Sequence, residues 1–380
     1  MSQPPILRIV ETISDIPAAQ WNALAGSNPF LSHAFFSALQ ESGCATPETG
    51  WRAQFLTLWQ GGELVGAMPL YLKSHSWGEF VFDWAWAEAY QRQGLDYYPK
   101  LLCAVPFTPV TGLRILAPTP ELRAALLHAA LRLAQELGVS SLHCLFPPED
   151  QAQEMQREGM MLRQGMQFHW RNPGYADFDA YLAGMSHDKR KRIRQERRKV
   201  KDAGITFEHL SCDKISDAHW IFFERCYART HLQYNSPQAL NLDFFRRIGA
   251  SMADNVLLVM ALRDGQPIAS ALNFYHQEAL YGRSWGALEY HPGLHFEACY
   301  YQAIEFCIER RISVFEGGAQ GEHKLSRGFL PETTWSAHWL AHPRFAAVVD
   351  DYLRRETRGM SFYMDELNER SPFKQVGKNC

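Results

Sequence analysis

A helix followed by a buried strand is written twice into this chain, and each copy is preceded by a strand pair around a turn. In the first half, QFLTLW, Gly61-Gly62 and ELVGAMPLYL alternate and carry β-formers, so residues 53–73 read as two strands. Residues 120–138 have helical periodicity. Pro120 opens the segment, Leu122, Leu126, Leu133 and Leu137 mark one face, and Gly138 ends it. SSLHCLF (140–146) follows as a buried strand. In the second half VLLVMAL (256–262), a turn at Asp264-Gly265 and PIASALNFY (267–275) form the pair. ALYGRSWG (279–286) adds a strand, EACYYQAIEFCIER (297–310) is an amphipathic helix, and ISVFEGG (312–318) is the strand after it. GGELVGAMPLYL thus resembles DGQPIASALNFY, and LLHAALRLAQELGVSSLHCLF resembles CYYQAIEFCIERRISVFEGG. This internal duplication selects an α/β (α+β) fold in which each half is a mixed twisted sheet flanked by helices. One core rarely grows past roughly 250–300 residues, so a chain of 380 divides into two domains, assigned here to 1–165 and 166–380.

Between its strand pair and its helix the first half carries a longer insert. It holds a ring-rich piece, Trp77 to Tyr98, and ends in PFTPVTG (106–112), whose prolines argue for an irregular loop or strand end. The ring-rich piece reads either as core or as a stacking wall for a ligand. Residues 343–369 are polar with helical periodicity and form a closing helix.

Charge is unevenly spread. The net value is −3, yet residues 189–201 hold nine Lys or Arg and one acid, Glu196; without them 29 basic residues face 40 acidic ones. SHDKRKRIRQERRKVKDAG (186–204) reads as a helix capped by Ser186 and ended by Gly204, with Arg190, Arg194, Arg197 and Lys201 along one stripe. It is either a solvated face or a seat for a polyanion, because like charges at this spacing repel. RNA, a nucleotide-linked substrate and an anionic membrane surface all fit that description.

The amino terminus has no basic region followed by an apolar run, and no stretch reaches the ~20 apolar residues needed to span a bilayer. Eight scattered cysteines form no Cys-x-x-Cys pair, so neither a zinc site nor a disulfide framework is expected. These features predict a cytoplasmic protein without a metal. No Gly-x-Ser-x-Gly, P-loop or dinucleotide fingerprint occurs, which leaves hydrolase, kinase and dehydrogenase readings without support.

The stretch EGGAQGEHKLSRGF (316–329) is the strongest candidate for chemistry. It emerges at the carboxyl end of a buried strand, where open α/β sheets bind ligands. Gly317, Gly318 and Gly321 allow close approach of backbone to a ligand. Gln320, Glu322, His323, Lys324 and Arg327 then bring an acid, an imidazole and two cations within reach of an anion or a mobile proton. Glu316, at the strand's end, is either a proton acceptor for an attacking amine or an ion-pair partner of Arg283 or Lys324. The second candidate is GRSWGALEYHPGLHFEACYY (282–301): Arg283, Trp285 and Gly286 finish a strand, and a loop leads to a helix amino terminus, a ready anion site. Tyr300 and Tyr301 are adjacent on that helix, and one of them is expected to border a cleft.

DYYPKLLCAVPFTPVTG (96–112), SHDKRKRIRQERRKV (186–200) and FEGGAQGEHKLSRGF (315–329) resemble the FemAB-like predicted N-acyltransferases. The resemblance covers nearly the whole chain. It implies two GNAT-like domains in tandem, a role in cell-envelope metabolism related to peptidoglycan biosynthesis, and an acyl-CoA or aminoacyl-tRNA donor. The GNAT pyrophosphate signature, Arg/Gln-x-x-Gly-x-Gly/Ala, is missing from the corresponding loop of both halves, and the long helical arm of Fem enzymes is not evident. The resulting expectation is an N-acyltransferase that moves an acyl or aminoacyl group to an amine held between the halves. Glu316, His323, Lys324 and Tyr301 are its candidate catalytic side chains. Arg283, Trp285, Gly317, Gly318, Gln320, Gly321, Glu322, Arg327, Arg190 and Arg194 are its candidate binding residues. Expected partners are a small or nucleotide-linked substrate, tRNA, and a peripheral membrane contact. The alternative is a non-catalytic GNAT-like module that binds a polyanion.

Overall fold

Strand identity follows the local pattern closely. The computed structural model describes residues 4–319 and 321–374. Its strands, in chain order, are β1 (Ile6–Val10), β2 (Trp51–Ala53), β3 (Phe55–Gln60), β4 (Glu63–Met68), β5 (Leu70–Lys73), β6 (Lys100–Cys103), β7 (Ser141–Leu145), β8 (Met161–Arg171), β9 (Ile205–Ser211), β10 (Val256–Arg263), β11 (Gln266–Tyr275), β12 (Ala279–Ala287), β13 (Val314–Glu316) and β14 (Leu330–Leu340). The chain divides into two compact units, each assembled from two segments. The first comprises 1–165 and 333–362, the second 166–332 and 363–380.

In the first unit β1, β3 and β4 form a small antiparallel sheet, and β2, β5, β6, β7 and β14 form a larger one in that order. Gly61 and Gly62 both have positive φ, as a tight hairpin turn requires, and they join β3 to β4. The sequence pattern suggests one strand from Glu63 onward, but the structure divides it at Pro69. Proline has no N–H to give to a ladder, so the chain leaves one sheet there and enters the other as β5. The helix Pro120–Glu136 is capped by the Thr119 side chain, which accepts from the Leu122 N–H. It buries Leu126, Leu127, Ala130 and Leu133, whereas Leu137, expected on that face, is exposed. These side chains pack with Leu56, Met68, Leu101, Leu142 and Cys144 to form the core of this unit.

In the second unit the strand order is β8-β13-β12-β11-β10-β9. Asp264 and Gly265 take positive φ and close the β10–β11 hairpin as their sequence predicts. The duplication is visible in the connections. In each unit one pair of strands is parallel, β6 with β7 and β12 with β13, and a helix links the two members. Parallel neighbours need such a crossover, whereas antiparallel ones do not. The strand after each pair does not continue its own sheet: β8 pairs with β13, and β14 pairs with β7.

The basic segment forms the helix His187–Asp202, and Gly204 takes positive φ just beyond its end. Ser186 occupies the N-cap position, but its side chain makes no capping bond. Ile193 and Val200 anchor this helix, each about 1% exposed. The segment 343–369 is helical throughout, Pro343–Glu369.

Gly286 shows how tightly β12 is covered. A Cβ there would lie 2.0 Å from the carbonyl oxygen of Cys226 on the helix Asp217–Gln233. The clash is with backbone, which cannot rotate away, so Gly286→Ala should destabilise the protein by about 3 kcal/mol or more. A thermal melt checks this; an unchanged Tm would mean that the helix does not sit against β12 as described.

Candidate functional site

The parallel pairing of β12 and β13 is short. It covers Ala279–Tyr281 against Val314–Glu316, and β13 ends there while β12 runs on to Ala287. Glu316 is therefore the last residue of a strand whose carboxyl end opens into a loop. Gly317 begins that loop, and a side chain there would press within 2.9 Å of the Phe329 ring. Gly318 follows with φ of +89°, a conformation that glycine adopts without strain. The turn Glu322–Arg327 returns the chain toward β14. The path is that of a Gly-rich loop after a strand, as its letters suggest. Gln320 lies outside the described residues.

Glu316 is only 12% exposed, and its Oε2 atom has no hydrogen-bond partner among the described residues. The nearest ionisable atom facing it is Nε2 of His169, 3.9 Å away. His169 reaches this position because β8 pairs with β13 in a register that sets it opposite Glu316. Burial pushes the Glu316 carboxyl up to about 8; Glu332 adds to the shift and Arg283 opposes it. Burial likewise pushes Arg283 down to about 10, against the pull of Glu316, and His169 down to about 4. A carboxyl that titrates near neutrality can both take and return a proton.

Lys324 is 2% exposed and donates from Nζ to the carbonyl of Gly318 at 2.7 Å, so it closes the glycine loop on itself. Burial pushes its ammonium down to about 8. His323 is exposed, and its Nε2 lies 3.0 Å from the Tyr300 hydroxyl. The expectation that one of the adjacent tyrosines borders a cleft gives way here. Both are buried, Tyr300 at 5% and Tyr301 at 0% exposure. The helix is covered on two sides, so neighbouring positions meet different partners. Tyr300 meets the loop, while Tyr301 meets the basic helix.

Tyr301 donates to a carboxylate oxygen of Glu196, the one acid of the basic run. Arg327, 1% exposed, donates from Nη2 to both Glu196 oxygens at 2.9 Å and from Nε to the Tyr301 hydroxyl at 3.0 Å. Its guanidinium lies 3.4 Å from the centre of the Phe296 ring. The helix that supplies Tyr301 and Phe296 is wound as a π-turn over Glu297–Tyr301. Such turns cost regular hydrogen bonding and recur at functional sites. Glu297, 3% exposed, accepts from Arg197, which also reaches Glu305 at 2.8 Å.

The remaining candidates are placed as follows. Trp285 is half-buried with its ring 4.7 Å from that of His295. Glu322 is exposed and accepts from the Tyr363 hydroxyl. Arg194 meets Asp179 at 3.2 Å, and Arg190 has no ion-pair partner among the described residues. Arg194 and Arg197, with Arg198, Lys201, Glu297 and an apolar floor, line a cavity of about 450 Å3. The geometry thus gathers Glu316, Arg283, Gly317, Gly318 and Lys324 around the carboxyl end of β13. Tyr301 and Arg327 are tied to Glu196, and Arg190 and Arg194 stand on the basic helix. His169 and Glu196 went unrecognised in the sequence. No motif marks His169, whereas a single acid among nine cations was a legible signal for Glu196. Among the described residues no group of three or more His, Cys, Asp or Glu side chains is arranged to hold a metal ion. No helix among them is long and apolar enough to cross a membrane.

The model of one protein family, described as FemAB-like, peptidoglycan biosynthesis/recognition, matches residues 12–375. The chain belongs to the FemAB-like family. Solved structures agree on the fold of this FemAB-like protein. FemX matches with a TM-score of 0.55 at 11% identity, over 88% of this chain and 98% of its own. L-PGS from Bacillus licheniformis gives 0.55 at 10% identity, over 88% of this chain and 96% of its own. The C-terminal domain of a putative lysylphosphatidylglycerol synthetase from Agrobacterium fabrum gives 0.55 at 9%, over 87% and 93%. At these identities the likeness is one of fold: tandem GNAT-like units of mixed α/β architecture. No curated protein matches the FemAB-like chain in sequence. Family membership supports a transferase connected with peptidoglycan biosynthesis.

The raised carboxyl of Glu316 has a consequence for stability. The folded protein holds a proton on Glu316 that the unfolded chain releases near its ordinary value of 4.5. Stability from this group is thus intact below pH 4.5 and is lost as pH rises to about 8. Glu316→Gln removes the titration. Its Tm advantage over the native protein should widen by on the order of 5 °C between pH 5 and pH 8, as read by differential scanning fluorimetry. A constant difference across that range would show that Glu316 is ionised and solvated in the folded state.

Proposed function

We propose that this protein transfers an acyl or aminoacyl group to an amine in cell-envelope metabolism, with Glu316 as the proton acceptor. The observation that carries the reading is the Glu316 carboxylate oxygen, buried without a hydrogen-bond partner among the described residues at the carboxyl end of a parallel strand pair. An incoming amine attacks the carbonyl carbon of a thioester or ester. Its nitrogen gives up a proton to Glu316 as the C–N bond forms. The negative charge that develops on the carbonyl oxygen needs fixed donors, which the Lys324 ammonium and the N–H groups of the glycine loop supply. Collapse expels the thiol or alcohol, which takes the proton back. Donors consistent with the reading are acyl-CoA and aminoacyl-tRNA, and the acceptor is a small or nucleotide-linked amine.

This assignment makes the rate depend on pH in a defined way. Glu316 must be ionised and titrates at about 8, so the rate rises with pH toward that value. Lys324 must be protonated and also titrates at about 8, so the rate falls above it. The expected profile of kcat/KM is a narrow bell centred near pH 8. Glu316→Gln should lower kcat/KM by about 10²–10³ and abolish the rising limb, while Lys324→Met should abolish the falling limb. The measurement is transfer of a labelled acyl group from each donor class to an amine panel across pH 6–10. A profile unchanged in Glu316→Gln would remove the carboxyl from the reaction.

A second reading has an observation of its own, the 450 Å3 cavity along the basic helix. Arg198 and Lys201 line it and have no ion-pair partner among the described residues, so a non-catalytic role in holding a polyanion such as tRNA is consistent with it. This reading expects RNA binding that weakens steeply with salt, and Arg198→Glu with Lys201→Glu should flatten the salt slope by about two. Filter binding at several salt concentrations, alongside an absence of acyl turnover, would favour it over transfer.

A further inference from the structure

The cavity of about 450 Å3 lies wholly within the second unit, and its lining shares no residue with the group around Glu316. Its walls are apolar. Asp177 caps the helix Phe178–Gly184 by accepting from the Ala180 N–H at 2.7 Å, so Phe178 and Leu182, four residues apart, fall on one side of it. Ile205 and Phe207 lie two apart on β9 and share a face of that strand. Val200, from the basic helix, packs in one cluster with Ile205. Leu182, Val200 and Ile205 are buried, whereas Phe178 and Phe207 are only partly so, which leaves ring surface at the cavity.

The two carboxylates of Glu297 and Glu305 in the lining are already engaged. All four of their oxygens accept from Arg197 or from the Gln302 amide, at 2.8–3.2 Å. The Gln302 carbonyl oxygen lies 2.9 Å from His209 Nε2. The Arg197 guanidinium also stands 4.3 Å from the centre of the Phe178 ring. These groups satisfy one another, so a ligand with a hydrogen-bonding edge, such as a nucleobase, would have to displace one of these bonds to be read. An alkyl chain displaces none of them.

The remaining cations are not balanced in this way. Arg194, Arg198 and Lys201 stand at i, i+4 and i+7 of the basic helix, so they share one stripe along the cavity. Arg194 pairs with Asp179, and at side-chain exposures of 54% and 80% such a pair contributes little. Arg198 and Lys201 are exposed and have no ion-pair partner among the described residues. Like charges at this spacing destabilise a helix, and an anion held between them relieves the repulsion. The cavity therefore joins an apolar wall to an unbalanced row of cations. Its volume suits a small molecule, and the body of a nucleic acid does not enter a space of this size.

We propose that this cavity binds a small amphipathic phosphate, an alkyl chain that ends in a phosphate group. The Arg198 guanidinium and the Lys201 ammonium donate to the phosphate oxygens, and the chain lies along the apolar wall. A soluble phosphate monoester and a phospholipid share this chemistry. The proposal goes beyond both readings above, since it needs neither transfer at Glu316 nor a nucleic acid.

The test is calorimetric titration and thermal shift of the full chain with n-hexyl phosphate at low salt, beside ethyl and n-butyl phosphate, inorganic phosphate and n-hexanol. Saturable binding of hexyl phosphate with a rise in Tm is expected, at least about tenfold tighter than inorganic phosphate and weaker at high salt, and hexanol should not bind. Affinity should grow about threefold for each methylene from ethyl to hexyl. Arg198→Gln with Lys201→Gln changes two exposed side chains, so the protein should keep its Tm, and it should weaken binding at least about tenfold. Glu316→Gln should leave binding unaltered. Competition by phosphatidylglycerol vesicles would support the proposal with a lipid as the source, and binding without such competition would support it with a soluble ester. Absence of saturable binding, equal binding of inorganic phosphate, no dependence on chain length, full affinity in the double variant, weakened binding in Glu316→Gln, or binding of a single-stranded RNA without any of hexyl phosphate would overturn it.

Discussion

Three pairs of parallel residues, Ala279–Tyr281 against Val314–Glu316, set the position of everything else in the second unit. Parallel strands need a crossover, and the helix that supplies it brings Phe296, Tyr300 and Tyr301 over the same strand ends. Because β13 stops after three residues, its last side chain is left at an edge that β12 overruns. Glu316 is thereby held in a dry place, with no hydrogen-bond partner for its Oε2 atom among the described residues. A longer β13 would carry the glycine loop away from that edge.

The loop itself is held by charge as well as by the apolar packing of Leu325 and Phe329. Arg327 reaches back to Glu196 with two bonds and to Tyr301 with a third, and it stacks on Phe296. Lys324 ties the glycine backbone from the other side. A loop rich in glycine loses much entropy on ordering, so these anchors counter its freedom. They also explain the one acid of the basic run 189–201. Glu196 connects that helix to the glycine loop, and its neighbour Arg197 ties the helix to Glu297 and Glu305.

Both units place ionised groups in dry surroundings, with different outcomes. In the second, burial outweighs the pull of Arg283 and raises Glu316 to about 8. In the first, burial would raise Asp83, but the charge of Lys100, with His143 and with hydrogen bonds from Lys100 and Ser76, outweighs it and holds the carboxyl down at about 2. A carboxyl group is therefore raised in one place and held as a fixed anion in the other, and the surroundings decide which.

The sequence by itself determined the kinds of element and most of their limits. The helix Pro120–Glu136, the hairpin turns at Gly61-Gly62 and Asp264-Gly265, and the glycine loop after β13 all follow from side-chain period and turn chemistry, which act over a few residues. It also singled out Glu316 and Lys324, because a strand followed by glycines and charge is a local pattern. Only the tertiary structure decided which strands beyond those hairpins are neighbours. The pairing of β8 with β13 brought His169 to Glu316, and the pairing of β14 with β7 brought His338 to His143. Partner choice depends on burying one face of each strand against side chains more than a hundred residues away, and no local period records it. The same holds for Tyr301: its letters allowed a cleft position, and the arrival of Glu196 and Arg327 turned it into an anchor.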